Sequence, residues 1–181
     1  IAYMRLAITN NDNNSFERIV NIPPIGIGEK TKELLRDFSK ENKTSLYDSI
    51  PLALEKSIFT KKAGESLIEF HNLISLVKSI LEKDDLPHQI NEIIKISNIK
   101  SIYEKNKTEQ AISKLENLDE LISAAEEFTN TDLDENETII DAFLTHTSLE
   151  AGEGQGNEWD ECVQLMTLHS AKGLEFKLVL M

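Results

Sequence analysis

Apolar residues in this chain recur at spacings of three and four, the period of a helix with one buried face, and strand signals are scarce until the last twenty residues or so. Leu67, Phe70, Ile74, Val77 and Leu81 form one such stripe, and Leu115, Leu118, Ile122 and Ala125 form another. Further helical segments are predicted from about Lys30 to Lys43, Leu46 to Lys56, His88 to Ser97 and Thr138 to Leu149, with Pro51 bending or interrupting the second. A sequence patterned in this way buries its apolar stripes helix against helix, so the expected fold is mainly α. With 181 residues, 40% of them hydrophobic, the chain is long enough to bury a core.

The pattern changes at the end. Val163-Gln164-Leu165-Met166-Thr167 and Phe176-Lys177-Leu178-Val179-Leu180 read as two short strands around a loop that contains Gly173. Two strands with no sheet to join imply a neighbouring domain, and Gly152, Gly154 and Gly156 mark a flexible joint just before them. A start at Ile1 inside a helix-like segment and a stop at Met181 after a strand-like run give the look of a piece excised from something longer.

Charge and cysteine content narrow the function classes. The formal charge is -13, and all of that excess lies in residues 111–181, because the first 110 residues are balanced. A uniformly basic nucleic-acid-binding surface is therefore excluded, and the acids Asp132, Asp134, Glu135 and Glu137 read as a solvated loop between helices. Cys162 is the single cysteine, which excludes a disulfide framework and a cysteine-rich zinc site and fits a reducing cytoplasm. The opening residues Ile1-Ala2-Tyr3-Met4-Arg5-Leu6 lack the charged start and apolar stretch of a signal peptide, and the longest apolar runs are only a few residues long.

Two segments carry groups suited to chemistry. In Ile22-Pro23-Pro24-Ile25-Gly26-Ile27-Gly28-Glu29-Lys30-Thr31 a tight, helix-hairpin-helix-like turn opens a helix. Glycine at positions 26 and 28 removes two side chains beside the first amides of that helix, so a phosphate has room to approach its positive end. Such a contact reads no base and suits sequence-independent duplex binding. A plain turn followed by a helix start has the same pattern. The second segment, Thr167-Leu168-His169-Ser170-Ala171-Lys172-Gly173-Leu174-Glu175-Phe176, gathers hydrogen-bonding and charged groups at the end of a strand, where open α/β sheets bind ligands. Thr167, His169 and Lys172 suit phosphates and Glu175 suits a ribose hydroxyl, although a satisfied loop fits the pattern equally well. There is no G-x-x-x-x-G-K-[ST] phosphate loop. The histidines His71, His88 and His146 show no metal-ligand spacing, and Trp159 with the scattered aromatics forms no stacking platform.

Taken together and in order, these segments resemble a UvrD/Rep/PcrA-type superfamily 1 DNA helicase. Ala2-Tyr3-Met4-Arg5-Leu6, then Phe16-Glu17-Arg18-Ile19-Val20-Asn21 and the Gly-Ile-Gly turn, are similar to the opening of that family's accessory subdomain 2B. Leu115-Glu116-Asn117-Leu118-Asp119-Glu120-Leu121 resembles its central helix, Ser148-Leu149-Glu150 with Gly152-Glu153-Gly154 its closing helix and hinge, and Val163 to Phe176 its motif V. The resemblance implies an ATP-driven 3′ to 5′ translocase acting in DNA repair or replication, with two RecA-like motor domains, 1A and 2A, and inserted subdomains 1B and 2B. On that pattern residues 1–160 are 2B and residues 161–181 are a strand-loop-strand returning into the incomplete RecA-like domain 2A. The resemblance assigns duplex contact to Gly26, Ile27, Gly28, Lys30 and Thr31, single-strand contact to Thr167 and His169, and proximity to ATP to Lys172 and Glu175.

ATP and Mg2+ belong to the intact helicase, while a chain without the phosphate-loop motif is inactive alone. The implied partners are duplex DNA with a 3′ single-strand tail, domains 1A, 1B and 2A, and repair proteins, with no membrane. In one respect the chain departs from the family: Ile25 stands where a basic residue is common. Arg18, Lys30, Lys32 and Arg36 would form a local basic face if they point the same way. The alternative function is a protein-interaction or autoinhibitory module with little DNA affinity of its own, which fits the acidic charge and the absent cation at position 25.

Overall fold

The structure is a computed structural model, described here for residues 1–83, 85–106, 108–128 and 138–153. Its described residues form nine α-helices: α1 Ala2–Ile8, α2 Asn13–Ile19, α3 Glu29–Asn42, α4 Leu46–Glu55, α5 Lys61–Leu81, α6 Leu86–Ile96, α7 Lys100–Glu104, α8 Glu109–Phe128 and α9 Ile139–Glu153. The mainly α expectation is met. The expected strand-loop-strand lies outside the described residues, as do Gly154 and Gly156 of the expected joint. Gly152 falls within the last turn of α9.

Residues 1–144 form one compact unit and residues 145–181 a second, of which the end of α9 is described. In the first unit α5 is the central element, in contact with α1, α4 and α6. Its stripe is buried as the period requires, with Leu67 and Val77 fully covered, Phe70 and Ile74 nearly so, and Leu81 packed at the rim. The ring of Phe70 meets Phe16 of α2 edge to face, at a centroid separation of 5.4 Å. At the other side of the unit α8 lies along α6 and α7. Its stripe is shallower: Ala111 and Ala125 are buried, whereas Leu118 and Ile122 are half covered. Phe128 at the end of α8 contacts Phe143 of α9 edge to face at 5.4 Å.

Helix starts follow local capping chemistry. Asp12, Ser45, Thr60 and Asp85 each accept a hydrogen bond from an amide of the first turn, which satisfies a donor that the helix leaves open. The Asp85 cap and Pro87 in the first turn place the start of α6 at Leu86, two residues before the start expected from periodicity. Pro51 lies inside α4 and does not end it. Proline there removes a single helix hydrogen bond, while Tyr47, Ile50 and Ala53 remain buried and hold the helix to the core. No described helix is long and apolar enough to cross a membrane.

Candidate duplex-binding hairpin

The turn between α2 and α3 is fixed from three sides. Asn21, just past the end of α2, accepts through Oδ1 from the amides of Ile25 at 3.0 Å and Ile27 at 3.2 Å, closing the turn on one side chain. Tyr3 of α1 donates its hydroxyl to the Ile22 carbonyl, and burial pushes the phenol up to about 12, so the donor proton is retained at any ordinary pH. On the third side Ser66 of α5 donates to the Ile25 carbonyl at 2.7 Å. The apolar residue of Gly-Ile-Gly is the anchor: Ile27 is buried in the core, while Gly26 and Gly28 on either side are exposed.

The two glycines have different physical reasons. Gly26 sits at φ +92°, a conformation that L side chains rarely adopt, and a Cβ there would come 3.4 Å from Ser66 Oγ. Gly28 is the N-cap of α3 at φ -84° and ψ 173°, ordinary extended backbone, and a Cβ there would meet nothing within 4 Å. Neither backbone strain nor internal packing calls for glycine at position 28. What its missing side chain leaves open is the approach to α3 from solvent. No side chain caps this helix, and the amides of Glu29 and Lys30 find no acceptor among the described residues. Thr31 is placed differently from its neighbours, because its amide already donates to the Gly28 carbonyl at 3.0 Å and only its hydroxyl remains for a ligand.

Two of the four cations expected to form a basic face are paired with acids. Arg36 grips Glu17 of α2 through Nε at 2.5 Å and Nη2 at 2.8 Å, and reaches Glu29 through Nη1 at 2.7 Å. Lys32 also pairs with Glu29, at 2.5 Å. Hydrogen bonds from Lys32 and then Arg36 hold the Glu29 carboxyl below the usual carboxylate range. Two of the four candidate cations are thus consumed in a clamp joining α2 to α3, because Glu17 and Glu29 share their patch. Lys30 and Arg18 are exposed and make no ion pair among the described residues.

Sequence reasoning did not single out Asn21 as the turn's organiser or Ser66 as its tether. An asparagine directly before Ile22-Pro23-Pro24 was a usable signal, since Asn side chains commonly accept from amides of the turn that follows. Ser66 gave none, because only the packing of α5 brings it to the hairpin. Thr167, His169, Lys172 and Glu175 lie outside the described residues. Among the described residues no group of three or more His, Cys, Asp and Glu side chains could hold a metal ion.

The UvrD-like helicase C-terminal domain matches residues 1–181, and the chain belongs to that family. It is 39% identical over 181 residues to DNA helicase II of Haemophilus influenzae, covering 100% of the chain and 25% of that protein. It is 38% identical over 179 residues to DNA helicase II of Escherichia coli, covering 99% of the chain and 25% of that protein. Against the ATP-dependent DNA helicase PcrA of Staphylococcus aureus it is 31% identical over 180 residues, covering 99% of the chain and 24% of that protein. The chain thus spans about a quarter of the length of these relatives.

Proposed function

We propose that residues 1–160 are the 2B accessory subdomain of an ATP-dependent 3′ to 5′ DNA helicase, and that the hairpin holds one phosphate of duplex DNA. One observation carries the phosphate contact: Gly28 is needed for neither conformation nor packing, yet it leaves uncovered the two open amides of Glu29 and Lys30. In this reading Ile27 fixes the turn to the core, and Gly26 and Gly28 let the backbone come close to the strand. The amides of Glu29 and Lys30 donate to phosphate oxygens, with the Lys30 ammonium and the Thr31 hydroxyl alongside. A contact of this kind grips the backbone without reading bases, which suits a motor that moves along any sequence.

Residues 161–181 return the chain to motor domain 2A on the same reading, with Thr167 and His169 on the single strand and Lys172 and Glu175 beside the nucleotide. ATP with Mg2+, bound between the motor domains of the complete enzyme, supplies the free energy of translocation. Domains 1A, 1B and 2A are then the partners within the polypeptide, the DNA partner is a duplex with a 3′ single-strand tail, and repair proteins are the outside partners.

Gly28→Asp in the complete helicase separates binding from folding. Aspartate is a good N-cap and its charge suits a helix start, so stability is expected to stay level or rise by up to about 1 kcal/mol. The same carboxylate occupies the phosphate approach, so affinity for a blunt duplex, read by fluorescence anisotropy, is expected to fall roughly tenfold. Unaltered duplex affinity would remove the phosphate contact and leave the protein-interaction or autoinhibitory role as the better account.

A further inference from the structure

We propose that Lys62 of α5 is a second cation of this phosphate contact, beside Lys30, an inference that rests on the hairpin reading above. From Asn21 to Gly28 the turn has no charged residue of its own, and Ile25 precedes the first glycine. Lys62 reaches it from a separate helix: its Cε lies 3.9 Å from where a Cβ of Gly26 would stand, so the missing side chain of Gly26 is the space beside which the lysine stem runs. The hydrogen bond from Ser66 to the Ile25 carbonyl ties the hairpin to the second turn of α5, which keeps the Lys62 backbone in register with the glycines.

The cations around the hairpin fall into two groups. Lys32 and Arg36 are neutralised by Glu17 and Glu29. Lys62, like Lys30 and Arg18, is exposed and makes no ion pair among the described residues, and of these three it is the one beside Gly26. It also stands where a cation is locally unfavourable, because the first turn of α5 contains Lys61 and Lys62 and no acid, against the positive end of the helix. A phosphate resting on Gly28 and the start of α3 relieves that repulsion and gives Lys62 a counter-charge. The ligand is a phosphodiester of the DNA backbone, and duplex and single strand are its two possible sources.

Lys62→Gln and Lys62→Arg in the complete helicase, compared with wild type and Gly28→Asp, test the assignment by anisotropy with a blunt duplex and with a single strand across a salt series. Loss of one phosphate-neutralising cation is expected to lower duplex affinity roughly threefold at low salt. It should also make the log-log salt slope shallower by about 0.9. Lys62→Arg should restore both values, and single-strand affinity should not move. If Gly28→Asp weakens duplex binding while Lys62→Gln leaves affinity and slope at wild-type values, Lys62 is not part of the contact and the hairpin reading survives. Wild-type duplex binding by both variants overturns the hairpin reading and the Lys62 assignment with it. A loss confined to the single strand overturns the duplex as the source of the phosphate.

Discussion

Replacing Phe70 by alanine is expected to destabilise the chain by about 3–5 kcal/mol, a large share of the stability of an ordinary domain. Phe70 is only 1% exposed, sits in the middle of α5, and carries the edge-to-face contact with Phe16 that joins α5 to α2. Truncation forfeits the transfer of the ring out of water, the aromatic pair, and the packing of the walls around the cavity it leaves. Ile68 provides the internal comparison. It lies two residues away on the same helix but is 46% exposed, so Ile68→Ala is expected to cost about 1 kcal/mol or less. Urea denaturation of the two variants checks the contrast, and similar midpoints would mean that the stripe does not face the core as described.

A second large effect is expected at Asn21. Its Oδ1 is the sole protein acceptor for the amides of Ile25 and Ile27 among the described residues, and both amides belong to the hairpin. Asn21→Ala leaves two donors without their partner, at about 1 kcal/mol each and more where water cannot replace it. The expected result is a loss of about 2 kcal/mol, with amide hydrogen exchange at Ile25 and Ile27 accelerated well beyond the change at buried helix positions such as Phe70. Asn21→Asp keeps an acceptor oxygen in place and should restore most of the protection. Unchanged exchange at Ile25 and Ile27 in Asn21→Ala would show that the asparagine does not organise the turn. The proposed duplex contact depends on the hairpin's shape, so on that proposal the alanine variant should lose duplex affinity even where α3 itself remains folded.

The helical class and the deepest stripe were legible because burial on one face of a helix writes itself into the sequence at a fixed period. Leu67, Phe70, Ile74 and Val77 are as covered as that period requires. Boundaries were less legible, since the Asp85 cap starts α6 at Leu86, itself part of the buried stripe, two residues before the expected His88. Pro51 does not interrupt α4 for a related reason: a local helix breaker is outweighed by the burial of the residues around it. At the site, Gly-Ile-Gly could be read as a turn, but the sequence treats its glycines alike. The structure gives Gly26 a conformational reason and leaves Gly28 with none inside the protein. The charges near the hairpin were visible one by one, yet their pairing was not, because Arg36 meets Glu17 across two helices. Lys62 and Ser66 are distant in sequence from the turn, so their arrival is a product of tertiary packing alone.

On the proposed function, this hairpin rests on the double-stranded part of the DNA. Tethered cleavage reads that position out on the DNA itself. Glu33 is exposed on α3, one turn beyond the open amides, so a cleavage reagent attached through Glu33→Cys leaves the hairpin itself intact. The experiment uses the complete helicase with its other cysteines removed, including Cys162→Ser in this chain, bound to a duplex with a 3′ single-strand tail. Cuts confined to the backbone of the duplex portion, and lost when Gly28→Asp is added, are the predicted result. Cleavage confined to the single-strand tail, or a duplex pattern that Gly28→Asp leaves unchanged, would mean that the hairpin does not hold the duplex.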